Sequence, residues 1–425
     1  MSKNILLNSL ILSIGILIGR LSGYIRELII ASKFEVSSTA DTIILMLTVP
    51  DLLNNLLAGG VISGILIPIL AKYKNEKIEE IVADFTKKLF VIFLMLYIFV
   101  ITIIFFVYDF YFFSLLSLSL LAVFPNILTF VISSYLQYER RFKAQSLNTL
   151  LFNITIITFL LLGFENYLFA IGVVVASIIR MLWIAYDLRA TPINLTSLFI
   201  QRKEEFIGYK LLIFMIFANG LIFINPMIDK LFASFLQEGS VAMLSYSEKI
   251  YLLPVSVFLT TYAIAMFPDL AKMVTKGDKK SIHTLLKKSI LFNISISFII
   301  AILFYKFSYE IVNLFYSIAH INESSLKEIA TLLNAYLPSL LFAGTNTILL
   351  NVFFAYKCYK KLIYYSIFMF LSKVIIDIFI VYFQYDVFYI ALSTSISVLL
   401  SVFILFFIFI IYKNKESFHA NNDFR

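Results

Sequence analysis

Long apolar runs, broken at intervals by short polar stretches, dominate this chain. Such segments can be drawn at 5–32, 41–70, 87–107, 111–137, 146–163, 167–187, 210–235, 241–270, 286–306, 326–356, 361–383 and 387–412. Each approaches or exceeds the ~20 residues that a helix needs to cross ~30 Å of hydrocarbon. The alternating ~10-residue segments of an outer-membrane barrel are missing. The pattern therefore predicts an all-α integral membrane protein of about 12 transmembrane helices.

The loops between these segments divide by charge. Alternate loops carry Lys72, Lys74, Lys77, Lys87 and Lys88; then Arg140, Arg141 and Lys143; then Arg189, Arg202, Lys203 and Lys210. Lys272, Lys276, Lys279, Lys280, Lys287 and Lys288 continue that side, followed by Lys357, Lys360 and Lys361, and by Lys413 and Lys415 in the tail. The opposite loops, around Asp109, Glu165, Glu238 and Asp386, are short and nearly free of Lys and Arg, with Lys33, Lys306 and Lys327 as exceptions. Basic residues accumulate on the cytoplasmic side of a membrane protein, so both termini are expected there. Lys3 ahead of an apolar run imitates a signal peptide, but no small-residue cleavage site follows and Arg20 interrupts the run. An uncleaved first span is the reading.

A weak internal repeat sets the domain organisation. Ile67-Pro68-Ile69-Leu70-Ala71-Lys72 closes the second span, and Phe267-Pro268-Asp269-Leu270-Ala271-Lys272 closes the eighth. Each follows a proline further back, Pro50 and Pro254. Equivalent positions are six spans apart, so the halves enter the membrane in the same direction, as two pseudo-symmetric six-helix lobes related by an axis along the membrane normal. The lobes are expected at 1–188 and 210–412, with a cytoplasmic amphipathic linker at 189–209 and a cytoplasmic tail at 413–425.

Composition agrees with the pattern. Of 425 residues, 61% are hydrophobic and 14% charged, against about 25% charged in a soluble domain; mean hydropathy is +0.94. The single cysteine, Cys358, rules out an internal disulfide, and three scattered histidines form no metal-ligand motif. The net charge of +8 follows loop asymmetry rather than a nucleic-acid-binding surface. No nucleophile–base pair, Walker sequence or HExxH occurs, so the chain reads as no enzyme. No cofactor is expected, and any work would draw on the membrane potential or a monovalent cation.

Against this apolar background the polar residues inside spans carry the functional signal, because an ionisable group at bilayer depth usually faces a cavity or a polar partner. The first span holds Arg20, Arg26 and Glu27, on an arc that suits a cavity wall better than one buried ion pair. Its Gly15, Gly19 and Gly23 recur every fourth residue, the spacing of close helix packing. In the second span Asp51, Asn54, Asn55, Gly59 and Ser63 follow the kink expected at Pro50, either lining a hydrophilic cavity or making ordinary interhelical hydrogen bonds. The second lobe adds Asp229 and Lys230, Glu248 and Lys249, and Lys373 with Asp377, the last pair read as an internal bridge. Asn-x-Ser/Thr matches at Asn153 and Asn293 lie inside apolar segments and are read as chance.

These residues also carry a resemblance. Gly19-Arg20-Leu21-Ser22-Gly23-Tyr24-Ile25-Arg26-Glu27 resembles the SR-x-x-G-x-x-R-[DE] pattern in the first helix of the MurJ/MviN lipid II flippase family. Ala40-Asp41, Val49-Pro50-Asp51-Leu52-Leu53, Ile67 to Tyr73, Arg141-Phe142-Lys143, Phe232 to Leu236, Tyr246-Ser247-Glu248-Lys249 and Tyr356-Lys357 continue it in register. The resemblance places the chain among the multidrug and oligosaccharidyl-lipid exporters, whose two lobes surround a central, alternating-access cavity.

It implies a flippase moving an undecaprenyl-pyrophosphate-linked peptidoglycan precursor across the bacterial inner membrane. Arg20, Arg26, Lys249 and Lys357 would bind substrate; Glu27, Asp41, Asp51, Asn54, Asn55, Asp229 and Glu248 would line the cavity or couple its field. Its partners would be the lipid-linked saccharide, membrane lipids and cell-wall synthesis proteins, with no nucleic acid. Lys249 and Lys357 stand where the family usually has Arg, which keeps charge but loses the bidentate fork suited to phosphate. Asn54 and Asn55 replace two second-helix arginines, and twelve spans are drawn where many members have fourteen. Another lipid-linked glycan is the alternative cargo; a drug antiporter or a non-transporting envelope scaffold are weaker rivals.

Overall fold

The computed structural model describes residues 3–58, 61–73, 77–139, 141–189, 191, 206–210, 212–213, 216, 221, 224–319, 321–356 and 358–413, and no strand occurs among them. The chain divides into two compact units, Met1–Phe34 with Ser38–Met227, and Glu35–Ser37 with Ile228–Arg425. The first contains α1 (Lys3–Phe34), α2 (Ser38–Ala58), α3 (Val61–Tyr73), α4 (Ile78–Val107), α5 (Phe110–Leu120), α6 (Val123–Tyr138), α7 (Lys143–Leu161) and α8 (Asn166–Leu188). Helix α9 (Asn225–Ala233) crosses the division. The second unit continues with α10 (Ser240–Pro254), α11 (Thr260–Lys276), α12 (Lys279–Lys306), α13 (Ser308–Tyr316), α14 (Glu323–Ala355), α15 (Tyr359–Tyr382) and α16 (Phe388–Lys413).

Eight stretches of described helix are long and apolar enough to cross a membrane: Ile78–Val107, Phe110–Tyr138, Ala144–Leu161, Asn166–Leu188, Lys279–Lys306, Glu323–Ala355, Lys361–Tyr382 and Phe388–Ile410. They coincide with eight of the twelve segments read from the sequence. The first, second, seventh and eighth segments are absent from that set, and these are the ones that carry most of the candidate site residues. Phe99, Phe106, Phe403 and Phe407 stand exposed on α4 and α16, faces that hydrocarbon rather than water would solvate.

In the first unit, α1 lies along α7 through its glycine ladder. A Cβ on Gly15 would collide with Ser146, one on Gly19 would sit 3.0 Å from Thr149 Cβ, and one on Gly23 3.5 Å from Asn153 Nδ2. Small residues at this spacing let two backbones approach closely, where apolar side chains have no water-driven reason to associate. The interior of the unit is filled by Phe85, Leu89 and Phe93 of α4 and Ile127, Val131 and Tyr135 of α6.

The linker expected at 189–209 falls largely outside the described residues, but its described end at Phe206 and Ile207 is held to α4. Lys88 Nζ lies 2.9 Å from Asp84 Oδ1 and donates to the Ile207 carbonyl at 2.6 Å, while Asp84 Oδ2 accepts from the Phe206 and Ile207 N–H groups at 3.0 and 3.3 Å. Lys88, read from sequence only as a positive-inside charge, is buried here. This latch keeps Phe206 and Ile207 with the first compact unit.

In the second unit α14 is the central helix, touching α10, α11, α12, α13 and α16. It contains Pro338, which has no N–H for the helical ladder. A hydroxyl from α16 enters the ladder beside it: Ser395 Oγ accepts from Ser339 N–H at 3.2 Å and donates to the Ala335 carbonyl at 2.6 Å. Pro254 ends α10 at a π-helical turn over Val255–Leu259, the wider turn that often marks a bend. Among the short loops, Asp109, Asp278 and Asn322 cap α5, α12 and α14 by accepting from the N–H groups of Phe112, Ser281 and Ser325.

The α1–α7 contact makes a direct prediction. Gly15→Leu should lower the melting temperature of the detergent-solubilised protein by several degrees, since overpacking a close contact costs about 1–3 kcal/mol. Gly208→Ala, where an added Cβ meets nothing within 4 Å, should leave it unchanged. Equal melting of both variants would show that α1 does not pack this closely.

Candidate functional site

Among the described residues, polar groups inside the helices gather into two clusters in the first unit and into neighbouring ion-paired groups in the second. The first cluster forms where the glycine ladder ends. Arg26 of α1 donates to Asn153 Oδ1 of α7 at 3.0 Å and to Glu27 Oε1 at 3.1 Å. Asn153 uses its Nδ2 in turn on Ser22 Oγ at 2.9 Å and the Gly19 carbonyl at 3.2 Å. Glu27 is buried, and the Arg26 side chain is 11% exposed.

The arc expected along α1 is therefore partly an ion pair. The guanidinium bends back to its sequence neighbour because Asn153 fixes one of its nitrogens, and a helical wheel does not register so long a side chain. Arg26 Nε has no hydrogen-bond partner. Arg20, less than two turns earlier, is exposed and is not joined to this cluster. Asn153 was dismissed in the sequence as a chance motif, and its interior position was the one signal that could have flagged it. A lone buried amide at span depth needs partners.

The second cluster runs across three helices. Asn54 of α2 donates to Asp51 Oδ1 at 3.4 Å and accepts from Asn126 Nδ2 of α6 at 3.2 Å. Asn126 Oδ1 in turn accepts from the Arg180 guanidinium of α8. Phe152 and Phe130 lie against that guanidinium, with ring centroids 5.0 and 5.9 Å from its central carbon. Asn55 Nδ2 turns to the Asp51 carbonyl at 2.9 Å, satisfying backbone inside its own helix. Asn54 thus makes the interhelical hydrogen bond that one reading of this stripe expects, and Asp51 is half-buried. Arg180 and Asn126 were not singled out from sequence. Gly59 and Lys357 lie outside the described residues. Asp41 is buried in the first turn of α2.

In the second unit Asp229 and Lys230, adjacent on α9, part company. Lys230 Nζ pairs with Glu248 Oε2 of α10 at 2.8 Å. Asp229 Oδ1 meets Lys373 Nζ of α15 at 2.6 Å, and Lys373 also holds Asp377 Oδ1 at 2.9 Å. The internal Lys373–Asp377 bridge read from the sequence is thus present, with Asp229 as an added arm. Tyr251 of α10 stacks on Tyr336 of α14 at 5.0 Å beside these pairs. Lys249 is half-buried.

What these arrangements can do chemically differs. In the first unit two arginines inside the membrane retain donor capacity, and a guanidinium with free N–H groups suits phosphate oxygens. In the second, Lys230 and Lys373 each meet a carboxylate, which suits a structural or ion-handling role rather than an open anion site.

Comparison with known proteins bears on this directly. A family model described as "Lipid II flippase MurJ" matches residues 30–422. The protein named "Probable lipid II flippase MurJ" of Aquifex aeolicus is 25% identical over 369 residues, covering 82% of this chain and 72% of its own. Its namesake in Borreliella burgdorferi is 24% identical over 422 residues, covering 94% and 82%. Among solved structures, a lipid II flippase MurJ in an inward closed conformation aligns with a TM-score of 0.74 at 22% identity, covering 94% of this chain and 87% of that one. An inward-facing multidrug resistance transporter of the MATE family aligns with a TM-score of 0.73 at 14% identity, covering 92% and 94%. At such identities the structural likeness establishes the fold.

The Arg26–Asn153 contact can be measured by itself. A double-mutant cycle of Arg26→Met and Asn153→Leu, read by thermal unfolding in detergent, should give a coupling of about 0.6–1.7 kcal/mol, the range for buried polar pairs between membrane helices. Strict additivity would show that Asn153 does not hold the guanidinium.

Proposed function

Because this chain belongs to the MurJ family of lipid II flippases, we propose that it moves lipid II across the bacterial plasma membrane, from the cytoplasmic to the outer leaflet, to supply peptidoglycan synthesis. It is a multi-pass membrane protein with both termini placed in the cytoplasm by the charge asymmetry of its loops. The transport is alternating access: the two lobes open the path to one face and then the other, and the cargo's pyrophosphate travels with its charge compensated.

One observation carries the residue assignment. Arg26, inside an otherwise apolar helix, is anchored by Asn153 and Glu27 yet keeps an Nε without a partner. A guanidinium held in place with spare donor capacity is preorganised for an anionic oxygen. Arg20, exposed on the same helix, supplies a second cation. Lys249 and Lys357 belong to the second lobe's contribution, and Glu27 and Asp41 tune the field around the arginines.

The direction of transport is consistent with the electrical gradient. An inside-negative potential favours outward movement of an anionic headgroup by ~2.3 kcal/mol per elementary charge at 100 mV. Asn54 and Asn55, at positions where the family pattern has arginines, are engaged with Asn126 and with the Asp51 backbone. The cationic groups of α1 therefore carry more of the headgroup binding in this chain.

The test replaces a bacterial strain's only lipid II flippase with this protein. Growth with normal translocation is expected from the wild type. Arg20→Gln with Arg26→Gln should abolish rescue at equal membrane abundance, and Arg26→Lys should weaken it, because a lysine cannot reproduce the planar fork. Full rescue by the double variant would overturn the assignment of both arginines.

A further inference from the structure

At the end of the second unit opposite the basic loops, two cavities meet at Tyr385. The first has a volume of about 570 Å³ and opens among the turn before α10, the early turns of α14 and the α15–α16 turn. Its polar lining is Gln237, Glu328, Thr331, Gln384, Tyr385 and Asp386. The second, of about 480 Å³, is an apolar groove between α15 and α16, lined by Ile376, Phe379, Leu392 and Ile396 with Tyr385 and Tyr389 at its upper end. The Tyr385 ring stands at the junction, its centroid 6.4 Å from that of Phe379 and 5.3 Å from that of Tyr389. Each cavity has the size of a small-molecule site. A polar chamber joined to an apolar groove has the form of an amphiphile.

Their depth fits a lipid of one leaflet. Tyr382, Phe383, Tyr385 and Tyr389 are all exposed around the α15–α16 turn, and tyrosines so placed gather at the level of the lipid headgroups. The polar chamber therefore lies at headgroup depth, with the groove below it in hydrocarbon. From Phe388 to Ile396, α16 descends roughly 12 Å at ~1.5 Å per residue. That is most of the ~15 Å that one leaflet contributes to the hydrocarbon core. Ile375 and Phe379 border the groove and are exposed, so a chain can enter sideways from the bilayer.

The chamber selects the headgroup by charge. No Lys, Arg or His lines it, and Lys327, next to Glu328, is held by Glu323 at 2.6 Å. Asp386 Oδ1 accepts from the Phe388 N–H at 2.7 Å, which fixes the carboxylate. Its Oδ2 and the Glu328 carboxylate have no partner among the described residues. Gln384 Nε2 donates one hydrogen to the Val381 carbonyl at 3.0 Å and keeps the other. Two carboxylates repel a headgroup with net negative charge and attract an ammonium. A primary ammonium offers three N–H donors to them, and a quaternary one offers none. The amides of Gln237 and Gln384 and the Tyr385 hydroxyl are neutral donors suited to a phosphate oxygen.

We propose that these joined cavities bind one aminophospholipid of the bilayer. Its ammonium lies at Glu328 and Asp386, its phosphate at the amide donors, and one acyl chain in the α15–α16 groove. Seated there, the lipid ties the α15–α16 turn to α10 and α14. The site takes a resident lipid, since a pyrophosphate would meet two carboxylates and no cation. It stands apart from the flippase reading.

Native mass spectrometry of the delipidated full-length protein tests this with phosphatidylethanolamine, phosphatidylglycerol and phosphatidylcholine of identical chains. One phosphatidylethanolamine should bind saturably, about tenfold more tightly than either other lipid, the scale of a charge-assisted hydrogen bond. Glu328→Gln with Asp386→Asn should abolish that preference. Both residues are exposed, so this variant should melt with the wild type in lipid-free detergent. Leu392→Trp, which fills the groove, should weaken phosphatidylethanolamine binding about tenfold, and Phe106→Trp on the first unit should not. Equal binding of the three lipids, a preference for phosphatidylglycerol, or a preference that persists in the double variant would overturn the proposal. Undiminished binding by folded Leu392→Trp would overturn it as well. No lipid II enters the measurement, so its failure leaves the transport reading untouched.

Discussion

A charge inside hydrocarbon cannot be solvated by its surroundings, so each one in this protein has to be met by another part of the chain or by what the chain carries. That constraint organises both units. Glu27 is answered by Arg26, Glu248 by Lys230, and Asp229 and Asp377 by Lys373. Lys230–Glu248 and Asp229–Lys373 join residues that the sequence leaves apart, on different helices. Lys373 and Asp377 lie on α15, which is long and apolar enough to span a membrane, and there each buried charge has its partner within contact distance.

The two units meet the constraint differently, and the difference has functional content. In the first, amides do much of the work. Asn153 holds Arg26, and Asn126 relays between Arg180 and the Asn54–Asp51 pair. An amide fixes a guanidinium without adding a charge of its own, as Asn153 does for Arg26 beside its ion pair with Glu27. In the second unit lysines and carboxylates meet directly at 2.6–2.9 Å, and the surplus there is negative.

Much of this was legible in the sequence. Eight of the twelve segments and the glycine ladder follow from hydropathy and spacing, because each reflects a property of the single helix against its solvent. The family resemblance ran from Gly19–Glu27 through Tyr356-Lys357, and a family match over residues 30–422 names the same family. Partner choice was less accessible. Asp229 finds Lys373 across 144 positions of sequence rather than its neighbour Lys230, and Arg26 finds Asn153 across 127. Nothing in a helical period encodes which helix lies alongside. Asn153 is read from the sequence only as a chance motif and Asn126 is not singled out, because one amide in an apolar run does not name the charge it will meet. Yet inside a membrane an amide is the group that can position a charge without neutralising it.

The central claim is that these intramembrane charges serve a pyrophosphate-bearing lipid. The most direct measurement is translocation of lipid II by the purified protein in liposomes, read by enzymatic access to the headgroup from the outer solution. The account predicts that the wild type exposes lipid II initially confined to the inner leaflet, and that protein-free liposomes do not. Lipid II that stays confined in the presence of folded protein, while an established flippase moves it under the same conditions, would contradict it.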